Sequence, residues 1–194
     1  MREFILYSRT GRTDGKFRSL MDGGRLDIAY QCMLMALFKS QSHRGDCVFH
    51  AVLNGPPSPP VCISIEGETL RDAHIDERSW EAIFRKLLSG GEHPGIAVSR
   101  KSMQALVAEK HRAGYRVFVL EAAGEPMESQ DFSGDSLFVV GDHIGIPKND
   151  ERFILRYGRK MSLGRGKYLA ASCIDIVNYW LDKNYVVTDA AEEK

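Results

Sequence analysis

Apolar residues along this chain fall into two periods, and their alternation outlines strands interleaved with helices. "EFILYS" (3–8) is short, apolar and rich in strand formers, and predicts a first strand. From Leu26 to Ser40 the positions Leu26, Ala29, Tyr30, Met33 and Leu37 recur at helical spacing. Strand character returns in "DCVFHAVL" (46–53) and "VCISI" (61–65). Between them lies "NGPPSPP" (54–60), whose four prolines forbid regular structure. Ser79 to Leu88 predicts a helix with Trp80, Ile83, Phe84 and Leu87 as its stripe, stopped by Gly90 and Gly91. "GIAVS" (95–99) is expected to be a short buried strand, and Met103, Leu106, Val107 and Lys110 mark a helix closed by Gly114. "YRVFVLE" (115–121) and "SLFVV" (136–140) read as strands of the fully buried type, and a last helix runs from about Leu169 to Asp182.

Alternating strand and helix with near-continuous apolar strands predicts an α/β fold, a mostly parallel sheet covered by helices on both faces. No linker divides the chain, so residues 1–194 are read as a single domain. Residues 9–25 carry Gly11, Gly15, Gly23 and Gly24 among charges and are expected to form a long, mobile basic loop; 186–194 are expected to be a disordered tail. The last helix has two apolar stripes, Ala170, Cys173, Ile174, Val177 and Leu181 on one and Leu169, Ile176 and Trp180 on the other. A terminal helix that is apolar on two sides predicts a homodimer with this helix in the interface.

Composition narrows the setting. Hydrophobic residues are 43% and charged residues 27%, an ordinary globular balance. No apolar run approaches the roughly 18 residues that span a bilayer, and the N-terminus has no signal-peptide pattern, so no membrane partner and a cytoplasmic location are expected. Cys32, Cys47, Cys62 and Cys173 form no C-x-x-C pair and sit among apolar neighbours, as in a reducing compartment. Lys+Arg 26 balance Asp+Glu 26, which argues against a surface that grips nucleic acid everywhere but leaves room for a local basic face. Such a face could begin in the first 25 residues, where Arg2, Arg9, Arg12, Lys16, Arg18 and Arg25 outnumber Glu3, Asp14 and Asp22.

The familiar phosphate cradles are missing. "MSLGRGKYL" fails a Walker loop at Met161 and Tyr168, and lacks the third glycine of a dinucleotide fingerprint. Three apolar segments nevertheless end in loops of small or polar residues, "VFVLEAAG", "LFVVGDHIGIP" and "MSLGRGKYL". Ligands of open α/β sheets sit beyond such strand ends. Main-chain groups there can bond an adenine edge while Leu120, Ile146 and Leu163 supply apolar walls, and Gly141 and Gly145 allow close backbone approach. Tight turns account for the same glycines. Asp142 and His143 have no third partner at metal-ligand spacing, so no metal is predicted.

"FVVGDHIGIP", then "MSL", then "YLAASCIDIVNYWLD" resembles the SPOUT-class RNA methyltransferases, and within them the archaeal tRNA pseudouridine-54 N1-methyltransferases and their bacterial homologues. "GGRLDIAYQC" and "LNGPPSPPVCISIEG" extend the resemblance over nearly the whole chain. It implies a SPOUT fold with a C-terminal deep trefoil knot, a homodimer, tRNA as partner, and S-adenosyl-L-methionine held by the knot loops. In those terms Leu120, Gly141 and the loop Leu163, Gly164, Arg165, Gly166, Lys167 and Tyr168 line the cofactor pocket, with Cys173 as a wall residue and not a nucleophile. Many members carry serine and proline where this chain has Gly164 and Arg165. Asp142 and His143 are expected to hydrogen-bond across the knot or the dimer interface, with His143 buried.

The implied reaction methylates N1 of a pseudouridine, whose proton must be accepted. Asp27 is the catalytic candidate, although an acidic residue in a first helical turn has a purely structural use as well. Arg25 could hold an RNA phosphate or the uracil carbonyls, and Arg9, Arg12, Lys16 and Arg18 are phosphate-contact candidates. A non-catalytic RNA-binding protein of the same fold, and a methyltransferase acting on another uridine or pseudouridine of tRNA or ribosomal RNA, are the alternatives.

Overall fold

The computed structural model describes residues 1–185; the proposed tail 186–194 lies outside the described residues. In chain order the elements are β1 (Arg2–Ser8), α1 (Leu26–Leu37), β2 (Phe38–Lys39), β3 (Ser42–His43), β4 (Cys47–Leu53), β5 (Val61–Glu66), α2 (Glu77–Leu88), β6 (Ile96–Ser99), α3 (Met103–Arg112), β7 (Arg116–Pro126), β8 (Ser136–Gly141), α4 (Lys148–Ile154), β9 (Gly158–Ser162) and α5 (Ala170–Asn184). One sheet has the order β6-β5-β4-β1-β8-β7-β9. From β4 to β9 every neighbouring pair is parallel, while β5 runs antiparallel between β4 and β6.

The central strands are apolar at consecutive positions because both sheet faces are covered. Phe4, Leu6, Phe118 and Phe138 point into a cluster with Leu26, Met33, Trp80, Ile174 and Val177, contributed by α1, α2 and α5. Ile5, Tyr7, Val117, Val119, Leu137 and Val139 point the other way, against Met103, Leu106, Val107 and Ile154 of α3 and α4. On the first face Phe4, Phe138 and Phe118 stack across three adjacent strands, with centroids 5.2 and 5.5 Å apart. The starts of α3 and α2 are locally encoded. Ser102 accepts from the Ala105 amide at 3.2 Å and Asp76 from the Ser79 amide at 2.8 Å.

Two strands differ from the sequence reading, the edge strand β6 and β7, the neighbour of the other edge strand β9. β6, expected to be buried, has only Ile96 half-covered and is an exposed edge. β7, expected to be fully buried, continues to Pro126 and is exposed beyond Leu120. The cause is loss of neighbours: pairing with β8 stops at Val119–Val139, and pairing with β9 shifts register between Leu120 and Glu125. α4 and β9 carry too few apolar residues in seven and five positions to register as periodic segments. α1 ends at Leu37, short of the expected Ser40, because Phe38 and Lys39 enter a hairpin with Ser42 and His43.

The loop 9–25 contains no helix or strand, yet it is anchored. Phe17 and Leu20 are buried, the Arg12 amide bonds Gly23 O, and the Thr13 amide bonds Pro56 O, both at 2.9 Å. The last helix packs one stripe, Ile174, Val177 and Leu181, into the core on the α1 side. Leu169, just ahead of it, and Tyr179 stay 75% and 64% exposed, and Ile176 and Trp180 are only half-covered.

Candidate cofactor and substrate site

A cavity of about 190 Å³ opens where β7 parts from its neighbours. Leu120, Glu121 and Ala122 form one side, Leu163, Gly164, Gly166, Lys167 and Tyr168 the other, and Cys173 of α5 closes it. The four residues from Glu121 to Gly124 have no partner on β9, so β7 bows outward before rejoining it at Glu125. Gly124 permits the return: a Cβ there would lie 2.5 Å from the Met161 amide nitrogen. Gly164 has φ +117°, a conformation that favours glycine, and open space where a side chain would project.

The loop leaves main-chain donors unused. Within the described residues the amides of Arg165, Gly166 and Lys167 have no main-chain partner, and α5 begins at Leu169 without a side-chain cap. Apolar walls from Leu120, Leu163 and Ala122 beside uncommitted amides fit S-adenosylmethionine, which has a flat heterocycle rich in acceptors and a carboxylate. Cys173 is half-buried, and burial pushes its thiol up to about 11, which fits the wall residue expected of it better than a nucleophile. Cys32, Cys47 and Cys62 are buried free thiols, each likewise raised by burial.

Of the cofactor candidates, Leu120, Leu163, Gly164, Gly166, Lys167, Tyr168 and Cys173 are brought together in this cavity. Arg165 is exposed and does not line it. Ile146 packs into the opposite cluster, the one containing Ile154, so it is not a wall shared with Leu120 and Leu163. Gly141 ends β8 for a local reason. A Cβ there would sit 2.8 Å from Gly145 Cα and from the Ile146 amide nitrogen, so the strand turns against its own loop.

Within the single chain Asp142 is buried, whereas His143, expected to be buried, is exposed. The Asp142 carboxylate accepts the Arg9 amide at 2.7 Å and the Ile144 amide at 2.9 Å, while its own amide bonds Tyr7 O at 3.0 Å. Those bonds clamp the end of β8 to the end of β1 within one chain. His143 is exposed and makes no hydrogen bond among the described residues. Its position one residue beyond the buried Asp142 turns it outward.

Arg25 and Asp27, the catalytic and substrate candidates, do not line this cavity and form a pair of their own. Thr10 Oγ1 donates to Gly24 O at 2.8 Å, and a Cβ on Gly24 would fall 1.9 Å from Thr10 O. The chain then enters α1 through Arg25 at φ 67°, a left-handed conformation that costs a non-glycine residue about 1–2 kcal/mol. The Arg25 guanidinium grips Asp27, with Nε 3.0 Å from Oδ1 and Nη2 3.0 Å from Oδ2. Hydrogen bonding and charge from Asp27 raise the Arg25 pKa, and the field of Asp142 adds to that, which places the pair near the β1–β8 clamp. The Asp27 side chain is 12% exposed and that of Arg25 40%, so the pair reaches the surface through arginine.

The remaining cations divide. Arg12 pairs with Asp14 at 2.7 Å and Arg18 with Asp22 at 3.4 Å. Arg9 and Lys16 are exposed, and their side chains meet no carboxylate among the described residues. Sequence reasoning missed Glu121 and Ala122 as cavity residues. The signal was the switch from "VFVL" to "EAAG", which removes large side chains where the strand bows.

Comparison with known proteins fits this geometry. Residues 1–186 match a family described as "Putative SAM-dependent RNA methyltransferase". The tRNA (pseudouridine(54)-N(1))-methyltransferase of Methanocaldococcus jannaschii is 36% identical, covering 96% of this chain and 98% of that protein. The protein of the same name from Methanococcus maripaludis is 34% identical, covering 94% and 99%. Among solved structures, Archaeoglobus fulgidus Nep1 bound to S-adenosylhomocysteine has a TM-score of 0.69 at 14% identity, covering 94% of this chain and 97% of its own, a likeness of fold.

Proposed function

Because the chain belongs to the S-adenosylmethionine-dependent RNA methyltransferase family that includes the archaeal tRNA (pseudouridine(54)-N(1))-methyltransferases, we propose that it methylates N1 of pseudouridine 54 in tRNA. The carrying observation is that seven residues named for the cofactor from sequence surround one cavity where β7 parts from its neighbours, beyond the carboxyl end of β9. S-adenosylmethionine, when bound, supplies a methyl group made electrophilic by its sulfonium. The amides of residues 165–167 and the walls at Leu120, Leu163 and Cys173 hold the donor and keep water out. Asp27 would accept the proton that N1 loses on methylation, directly or through water. Arg25 fixes the direction of that carboxylate and offers its outer N–H groups to a uracil carbonyl or a phosphate. Arg9, Arg12, Lys16 and Arg18 bind the flanking phosphates.

The reading extends to the assembly. At about 190 Å³ the cavity is smaller than the roughly 300–1,000 Å³ of typical cofactor sites, and the outer stripe of α5 is only partly covered; both support a homodimer in which a second copy completes the chamber. The family resemblance and the return of the chain from the edge strand β9 to pack α5 beside α1 support the C-terminal trefoil knot. No helix among the described residues is long and apolar enough to cross a membrane, and tRNA as substrate supports a cytoplasmic location. Mass spectrometry of tRNA from a deletion strain tests the reaction. A missing methylpseudouridine, restored by the gene, is the expected result, and unchanged tRNA overturns it. Calorimetry without detectable S-adenosylmethionine binding would instead support a non-catalytic RNA-binding protein.

A further inference from the structure

A second concave surface lies at the opposite end of the sheet from the cofactor cavity. It measures about 440 Å³ and forms where β7 and β9 begin, lined by His111, Tyr115, Arg116, Tyr157 and Arg159 among others. Arg116 starts the strand that reaches the cofactor cavity at Leu120, about 13 Å farther along at the strand rise of ~3.3 Å per residue.

A chain of ring contacts leads from its lining to an arginine beyond it. The His111 ring meets Tyr157 edge-on at 5.3 Å, Tyr157 meets Phe153 at 5.3 Å, and the Arg156 guanidinium lies 4.2 Å over Phe153. Arg112, Arg152, Arg156 and Arg159 are exposed and have no carboxylate partner among the described residues. The carboxylates on this face are already engaged. Asp131 pairs with Arg116 at 2.8 Å, Glu151 with Lys160, and Asp150 accepts from Tyr7 and Gln104. In a chain of zero formal charge, four arginines without carboxylate partners on α3, α4, the turn after α4 and β9 are a local excess.

The pattern selects the ligand. The four arginines come from the end of α3, from α4, from the turn after it and from β9, with Arg159 in the groove lining itself, whereas a small anion needs cations converging on one point. Guanidinium groups spaced along a surface match successive phosphates, and half-buried aromatic rings between them offer stacking to an unpaired base. Neither Asp27 nor the cofactor cavity takes part. We infer that this groove is a second RNA-contact surface, which takes phosphates of the tRNA body away from the methylated nucleotide; it rests on the tRNA reading above. Such contacts position a substrate without specifying its sequence.

The test is the double variant Arg156→Ala/Arg159→Ala, with Arg156→Lys/Arg159→Lys as charge-conserving control. Binding of full-length tRNA is read by fluorescence anisotropy at several salt concentrations, beside methylation kinetics and calorimetry with S-adenosylmethionine. The alanine variant should bind tRNA about tenfold or more weakly, and its salt slope should be flatter by about 2, on the order of one for each phosphate no longer neutralised. Its KM for tRNA should rise with kcat held, and a short stem–loop carrying the target nucleotide should be methylated as by the wild type. S-adenosylmethionine affinity should be unchanged, and the lysine variant should recover most of the tRNA affinity. Wild-type affinity and salt slope in the alanine variant overturn the groove while leaving the reaction standing. Equal losses on stem–loop and full tRNA overturn its placement away from the reacting nucleotide. Failure of the wild type to bind and methylate tRNA overturns the reaction and the groove together.

Discussion

Arg25 occupies a left-handed conformation beside the carboxylate that its own guanidinium binds. Strain of about 1–2 kcal/mol persists only where the surroundings enforce it, and here Gly24 against Thr10 does so. The two uses of Asp27 separate cleanly by experiment. If it accepts the N1 proton, Asp27→Asn should lower kcat by about 10²–10⁴ with S-adenosylmethionine affinity unchanged, in single-turnover methylation. If it only favours the first turn of α1, the rate should hold and unfolding should reveal a loss of about 0.3–1 kcal/mol. Cys173 makes a sharper negative. With its thiol held up near 11 by burial, Cys173→Ser should leave turnover within a few-fold, and denaturing gels of either protein with tRNA should contain no covalent adduct. An adduct abolished by serine would make the thiol a nucleophile. At this scale the sequence carries residue identities but not directions. Asp142 stands out in it as unusual, yet its partners, the Arg9 and Ile144 amides, are main-chain groups that no pattern of side chains announces.

The element that makes the cofactor cavity is the bow in β7. Gly124 lets it rejoin β9, so Gly124→Val should drive a side chain into the Met161 main chain. A stability loss of about 1–3 kcal/mol and weaker S-adenosylmethionine binding are expected from thermal unfolding and calorimetry. An undisturbed variant would mean that the bow is not held by close approach. The central strands are legible because burial on both faces writes continuous apolar runs, and α2 because its stripe and its stop at Gly90 are local signals. The edges are not. "GIAVS" reads as buried although β6 has a neighbour on one side only, and the exposure of β7 beyond Leu120 depends on where β8 and β9 stop pairing. In α5 the two stripes are visible in sequence, and one is only partly covered in the fold. Leu169→Glu/Tyr179→Glu should therefore give a monomer by light scattering, with weakened cofactor binding if a partner completes the chamber. A variant with wild-type mass would move the interface elsewhere.

Across the whole molecule, β1 is the hub that ties both faces together, and it does so at its start with buried charges of opposite sign. Arg2 is 4% exposed and bonds Asp46, Asn178 and Asp182, joining the sheet to α5. The Asn178 amide in turn donates to Met35 O and Ala36 O at the end of α1. Glu3 is 2% exposed on the other face, with His50 Nε2 at 2.8 Å and Lys110 Nζ at 2.5 Å. Burial alone would raise the Glu3 pKa, but hydrogen bonds and charge from His50 and Lys110 outweigh it and hold the carboxyl at about 2. A depressed folded-state pKa contributes stability that is fully present above the unfolded value of 4.5 and is lost as pH falls toward 2. The wild type should therefore lose on the order of 3 kcal/mol through Glu3 across that interval. Asp182 adds in the same direction: burial raises its pKa, but Arg2 and Arg44 bring it below the usual carboxylate range. The informative quantity is thus a difference. Glu3→Gln should be less stable at pH 7 and should have a flatter acid limb between pH 4.5 and 2 in urea unfolding, with the Asp182 contribution left in both proteins. Parallel acid limbs would mean that Lys110 and His50 do not hold Glu3 ionised, and that the coupling of β1 to α3 rests on packing alone.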